Sequence, residues 1–309
     1  MSPDGTGAPL GVLVMAYGTP RDRDDIATYY TDIRRGRPPT PEQLADLVRR
    51  YDAVLAMTDD DTAGDTFPLR AITDAQIAAL SATLDDRAVV TLGTKHSVPS
   101  IEDGVRVLAR RGAERAVGLV LAPHYSRLSV GEYADRAAKA GSECGIVVDT
   151  IESWHLLPAY VDFLTAAVRD ALATVPEGSE VVFTAHSLPQ RFVAAGDPYP
   201  LQLAETAAAV AERLALATWS TGWQSAGRTA DRWLGPDVLD VIRDRAATGA
   251  AGLVVCACGF VADHLEVAYD LDIEASSLAA DVGLPFARTA SVNADPAVMR
   301  ALAELVAAR

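Results

Sequence analysis

The run GLVVCACGFVADHLEVAYDLDIE, residues 252–274, opens with Leu253, Val254 and Val255, apolar and β-branched enough for a buried strand. Gly259 breaks the pattern, and Asp263, His264, Glu266, Asp270 and Glu274 follow. Glu266, Asp270 and Glu274 are spaced by four, so on a helix they share one face. Like charges so placed repel by roughly a few tenths of a kcal/mol per pair. A cation in front of them removes that cost. A carboxylate row near an imidazole, at the exit of a buried strand, suits a divalent metal or a proton relay. In a chain with 42 acidic residues, the same spacing also describes a solvated acidic helix face.

A second run, VVFTAHSLP at 181–189, is another apolar strand, and it ends in His186. Ligand sites of open α/β sheets form at the carboxyl ends of the strands. Two such ends, one bearing His186 and the other leading to Glu266, can face one cleft. A lone histidine at a strand end is commonly structural, so the inference rests on the pair.

Outward from these runs the chain alternates strand and helix. Strands are predicted at 10–17, 88–92, 116–121, 146–151, 181–185, 253–257 and 285–288. Helices are predicted from 24, at 41–51 with Thr40 as N-cap and Pro41 first, and at 73–84, 100–111, 129–141, 159–173, 201–216, 235–247 and 296–308. Such alternation predicts an α/β fold with parallel sheets and right-handed crossovers. The polar stretch 56–66 reads as a mobile loop. Residues 219–233, with three tryptophans among Gly, Ser and Gln, read as an ordered loop at a cleft rim. The second half repeats the scheme of the first, as after a duplication, and the first strand of each half ends in a polar ring, Tyr17 or His186.

At 309 residues the chain has material for two domains, and 50% of it is hydrophobic. Its apolar runs fall well short of the roughly 18 residues needed to span a bilayer. The N-terminal stretch has neither the basic nor the long apolar region of a signal peptide, so a cytoplasmic protein is expected. Three cysteines, Cys144, Cys256 and Cys258, make no disulfide framework. A net charge of −15 argues against nucleic acid, whose phosphates call for clustered Lys and Arg. The basic break at Arg34, Arg35 and Arg37 can bind carboxylates or be a solvated loop.

The motifs MAYGTP (15–20), YYTDIRRGR (29–37), KH (95–96), LAPHYS (121–126), AHSLP (185–189), GDPYP (196–200), GWQS (222–225), WLGPDV (233–238) and GFVADHLEVAYD (259–270) span nearly the whole chain. In kind and order they resemble those of the ferrochelatases, and the compact length is similar to the soluble enzymes of Gram-positive bacteria. The resemblance implies two Rossmann-like domains, 1–155 and 156–309, with an active-site cleft between them and the terminal helix packing back on the first. It implies insertion of Fe2+ into coproporphyrin III, by a monomer without membrane association, handing its product to a downstream haem-pathway enzyme. Residue by residue it implies His186 and Glu266 as the catalytic pair and the inner metal site. Asp270 and Glu274 become a row toward a second divalent metal, and Tyr17, Arg34, Arg35, Arg50, Tyr51 and Tyr125 become porphyrin contacts. Some relatives hold a [2Fe-2S] cluster on four cysteines; with three here, no cluster is expected.

The chain departs from the family where Asp65, Thr66, Phe67, Pro68 and Leu69 replace Gly-Gly-x-Ser-Pro-Leu after an acidic insertion. That departure keeps open a chelatase for another metal or tetrapyrrole, or a porphyrin-binding protein without catalysis. A dehydrogenase is excluded, because MAYGTP stands where a G-x-G-x-x-G would follow the first strand.

Overall fold

The computed structural model describes residues 8–57, 67–227 and 229–309, apart from the Arg87 side chain. The stretch from 58 to 66, with the predicted mobile loop and Thr66, lies outside the described residues. The first half runs β1 (Leu10–Ala16), α1 (Ile26–Ile33), α2 (Pro41–Leu55), α3 (Pro68–Leu84), β2 (Ala88–Thr94), α4 (Ile101–Arg110), β3 (Arg115–Val120), α5 (Glu132–Cys144) and β4 (Val147–Ile151). The second runs α6 (Pro158–Leu172), β5 (Glu180–His186), α7 (Gln190–Ala194), α8 (Tyr199–Leu214), β6 (Trp219–Gln224), α9 (Val238–Ala247), β7 (Leu253–Cys256), α10 (Leu265–Val267), α11 (Ser276–Asp281), β8 (Phe286–Arg288) and α12 (Pro296–Ala307).

Each half builds one parallel four-stranded sheet, ordered β2-β1-β3-β4 and β6-β5-β7-β8. The two orders are the same, so the duplicated order of elements read from the sequence extends to the topology. The central strands are buried along their length: Val12, Leu13, Val14 and Met15 in β1, and all four residues of β7. Continuous burial is what helices on both faces of a parallel sheet impose. In each sheet the chain reverses direction of growth between two central strands, β1 and β3 or β5 and β7. That switch point opens a crevice at the strand ends. One apolar cluster joins the halves: Val12, Leu80 and Leu119 with Val181, Phe183 and Val254, bridged by α6 and α12. There α12 packs on α3 and α6, and Gln76 Nε2 donates to the Asn293 carbonyl at 2.8 Å.

The structure corrects three readings. Residues 219–224 are not loop but the edge strand β6, paired with β5 from Val181↔Trp219 to His186↔Gln224. Its first half is exposed or half-buried, and its Ser, Thr, Gly and Gln looked like loop composition. Helix α3 starts at Pro68 rather than near 73, because proline is pre-set for the first helical position. The acidic helix is not uniformly α: after the short α10 the backbone widens into a π-helical segment, Ala268–Ala275.

Gly259 decides how closely the two site-bearing strands approach. Its N–H donates to the Thr184 carbonyl at 2.9 Å, and a Cβ there would lie 2.3 Å from Ala185 Cβ and 2.5 Å from Ala185 Cα. Neither contact can relax by rotating a side chain. Gly259→Ala should therefore cost about 1–3 kcal/mol in a urea titration, through overpacking, with far-UV circular dichroism unchanged.

Candidate active site

His186 is the last residue of β5, and Glu266 lies in α10, ten residues beyond the end of β7 at Cys256. These strands flank the switch point of the second sheet, so their ends must share one crevice. His186 Nδ1 lies 2.6 Å from the Ser187 carbonyl oxygen. A carbonyl only accepts, so Nδ1 carries a proton, and the neutral form of the ring would offer its lone pair at Nε2. That Nε2 stands 3.9 Å from Glu266 Oε1. In that form two acceptors face each other across a gap too wide for a hydrogen bond. It is short enough for one cation to touch both, since nitrogen–metal and oxygen–metal bonds to zinc, for comparison, run about 2.0–2.2 Å each.

The surroundings hold both groups. Ser187 Oγ donates to the Leu234 carbonyl, placing Trp233 with its ring 6.3 Å from the imidazole. Gln224, buried in β6, accepts from Thr184 and donates to the Glu266 carbonyl at 3.4 Å. His264, which the sequence offered as a nearby imidazole, caps α10: its Nδ1 accepts from the Glu266 and Val267 N–H groups. Burial pushes its pKa down, so it is a neutral cap.

Behind Glu266, Asp270 and Glu274 line up toward α2. Residues four apart on an α-helix are offset by about 40°. The wider π turn, with its i→i+5 bonds, brings them closer to eclipsing. The Arg50 guanidinium closes the row, 3.9 Å from Asp270 Oδ1 and 3.9 Å from Glu274 Oε1, and stacks on Tyr269 with 4.6 Å to the ring centroid. Arg50 thus meets the acidic row, whereas the resemblance placed it with the porphyrin contacts. Among the described residues no three His, Cys, Asp or Glu side chains converge to hold a metal by themselves. Burial, and then the Glu266 and Glu274 carboxylates, push Asp270 up to about 7, against the Ser225 hydroxyl that donates to it and against Arg50.

The first half supplies the facing wall. Tyr17 follows β1, is 46% exposed, and meets the His96 ring edge-on at 4.7 Å. The wall around its hydroxyl and the nearby Glu266 carboxylate hold the phenol neutral by raising its pKa. His96 follows β2, with Nδ1 2.7 Å from Asp32 Oδ2. Burial pushes this imidazole down more than Asp32 pulls it up. Lys95 pairs with Glu132 at 2.8 Å. The sequence reading passed over His96, Asp32 and Ser225 as site residues. Its own strand-end rule, applied to β2, would have found His96.

The remaining expected contacts separate. Arg34 is turned into the α1–α2 connection, donating to Gln43 Oε1 at 2.9 Å and to the Arg37 carbonyl. Arg35, in the left-handed region at φ 56°, is exposed, and its guanidinium makes no hydrogen bond among the described residues. Tyr51 is buried against Phe67, with its hydroxyl near Tyr30 and Thr19, so it supports the wall from behind. Tyr125 is half-buried at the seam with α8, where its N–H donates to Gln202; its charged neighbours are Glu152, Arg127, Asp197 and Asp135. Cys144 ends α5, while Cys256 and Cys258 are buried at the end of β7.

The raised Asp270 makes a stability prediction. The fold binds this proton more tightly than the unfolded chain does, whose carboxyl titrates near 3.8. The fold's preference for the protonated acid is therefore fully present below that pH and is lost as pH rises through about 7. Asp270→Asn should match the parent near pH 3.5 and be the more stable at pH 8, by about 1.4 kcal/mol for every tenfold gain in proton affinity on folding. Urea titrations at the two pH values measure it.

A family model described as Ferrochelatase matches residues 9–309. The coproporphyrin III ferrochelatase of Geobacillus sp. (strain WCH70) is 42% identical over 311 residues, covering 97% of each chain. That of Bacillus subtilis (strain 168) is 41% identical over 308 residues, covering 96% of each. Among solved structures, the sirohydrochlorin chelatase SirB from Bacillus subtilis subspecies spizizenii, in complex with cobalt, superimposes with a TM-score of 0.59 at 11% identity, covering 97% of this chain and 94% of that one. CbiX, described as the terminal enzyme of sirohaem biosynthesis in denitrifying bacteria, gives 0.56 at 17% identity, covering 96% and 98%. Those two likenesses concern the fold, which is that of the chelatases. A match along nearly its full length and relatives at about two-fifths identity place the chain in the ferrochelatase family.

Proposed function

We propose that this chain inserts Fe2+ into coproporphyrin III, the macrocycle named for its relatives at 41–42% identity. The observation that carries the reading is the open gap between His186 Nε2 and the Glu266 carboxylate. Replacing two pyrrole protons by Fe2+ releases two protons, so the site needs acceptors that also tolerate a divalent cation. An imidazole with an ordinary pKa of about 6.5 takes a proton at neutral pH. Glu266 is a second acceptor or a ligand for the entering ion. Oxygen and nitrogen donors hold Fe2+ without trapping it as thiolates would.

A flat macrocycle shields its nitrogen lone pairs, so contacts remote from the reacting centre must supply the energy that bends it. Tyr17, from the opposite half, is suited to press on the ring face. Arg35, on the exposed rim, is suited to a substrate carboxylate. Asp270 and Glu274 extend the acidic path away from Glu266, and a second divalent ion there would have to displace Arg50. On this reading the reaction runs in the cytoplasm, with the product passing to a later haem-pathway enzyme. Among the described residues no helix is long and apolar enough to cross a membrane.

The test is anaerobic mixing with Fe2+ and either coproporphyrin III or protoporphyrin IX, following loss of the free-base absorbance. Insertion into coproporphyrin III in preference is the expected result. His186→Ala should lower kcat by roughly 100-fold or more, the scale of a lost general base, while quenching of porphyrin fluorescence shows that the macrocycle still binds. Binding without metallation by the unaltered protein would overturn the reading, and insertion of another metal would redirect it.

A further inference from the structure

Arg288 ends β8, the edge strand of the second sheet, and has no part in the chemistry above. Its guanidinium is divided between two segments. Nε and Nη2 form a bidentate pair with Asp272 of the π segment, at 2.6 and 2.8 Å. Nη1 donates to Asp263, in the loop leaving β7, at 2.9 Å, and to the Thr289 carbonyl at 3.2 Å. Asp263 is further held by Ser291 Oγ and Asn293 Nδ2, both at 2.8 Å, while its own N–H donates to Asn293 Oδ1. Burial pushes the Asp263 carboxyl up, but Arg288, Asn293 and Ser291 outweigh it and hold it below its ordinary range. The arginine and both acids are mostly shielded, with 20%, 31% and 23% of their side chains exposed.

Glu266 lies between the two clasped acids in sequence. Asp272 is two residues from both Asp270 and Glu274, so it leaves the helix on the opposite side from them. Fixing Asp272 therefore fixes the rotation of the helix, and fixing Asp263 sets the point from which the chain enters it. A bidentate guanidinium–carboxylate pair constrains direction as well as distance. One side chain thus sets where Glu266 points and keeps the widened turn on which Asp270 and Glu274 line up. A cavity of about 230 Å³ lies on this side of the helix, lined by Asp263, Asp272, Arg288, Leu265 and, across it, Tyr51 and Phe67. Without the clasp the helix has room to rotate into it.

We infer that Arg288 is a positioning residue for metal insertion, acting through its clasp on Asp263 and Asp272 to aim Glu266 at His186. The inference rests on Glu266 being the metal-side acidic group proposed above. The experiment compares Arg288→Ala, Arg288→Lys and Asp272→Asn with the parent. It measures KM for Fe2+, kcat, porphyrin affinity by fluorescence quenching without metal, and amide hydrogen exchange over 264–276. Arg288→Ala should raise KM for Fe2+ or lower kcat by roughly tenfold to a hundredfold, the range for losing an outer-shell partner. Porphyrin affinity should stay within about twofold of the parent, since uniform binding is untouched. Exchange should rise within 264–276 and not in β1 or β5.

Asp272→Asn keeps the hydrogen-bonding shape but loses the charge, so it should show the same pattern more weakly. Arg288→Lys keeps the charge but loses the fork, and should recover only part of the defect. If a folded Arg288→Ala binds and metallates like the parent, or if porphyrin affinity falls in step with the iron defect, the inference is wrong. Should Arg288→Ala not fold, Asp272→Asn decides by the same two criteria. A Glu266→Gln variant with parental kcat and KM for Fe2+ would instead sink the site assignment, a result distinct from any of these.

Discussion

His186 and Glu266 face each other at 3.9 Å, and the molecule holds them there without letting the gap close. Left free, a neutral imidazole and a carboxylate would share a proton or rotate into water. Here the imidazole proton is committed to the Ser187 carbonyl, and the Glu266 backbone is held by the His264 ring and Gln224. Ser187 and Gln224 come from strand ends, and His264 from the loop between β7 and α10. The approach of Gly259 to Ala185 sets the spacing of those ends. The site is therefore a property of the sheet, and side-chain packing around it refines what the strands already define.

The two halves contribute different chemistry to the same cleft. The second half brings the imidazole and the carboxylates. The first brings Tyr17, the His96–Asp32 pair and Arg35. A substrate lying between them would meet acceptors on one face and aromatic rings on the other. The seam between the halves is built at α8 and the turn before it, where Gln202 and Asp197 receive the backbone N–H groups of Tyr125 and Arg127. Together with the α3–α12 packing, these contacts tie the two halves to each other.

The widening of the acidic helix is the least ordinary piece of backbone. A π segment is disfavoured relative to an α-helix and persists where its surroundings impose it. Here it carries a row of like charges whose mutual repulsion has to be met. Arg50 meets it beside Asp270 and Glu274, and the raised Asp270 in the middle of the row relieves it further by holding its proton more tightly. The same segment is clasped from its other side by Arg288. Charge, helix register and site geometry are thus one arrangement.

The α/β class and the two residues proposed to carry the chemistry were legible in the sequence, because both depend on local pattern. Apolar runs of strand length alternate with helical periodicity; the strand-end rule picks out His186, and the four-residue spacing of the acids picks out Glu266, without any knowledge of contacts. Composition hid β6, whose Ser, Thr, Gly and Gln are not strand-like, and spacing alone could not say that the acidic helix would be π. Nor could it separate Arg34, which braces a loop, from Arg35, which faces out, or show that Arg50 meets the acidic row. Those outcomes depend on which side chain another chain segment leaves unpaired. Local sequence sets the elements and their ends; the packing of the two sheets decides which charges find one another.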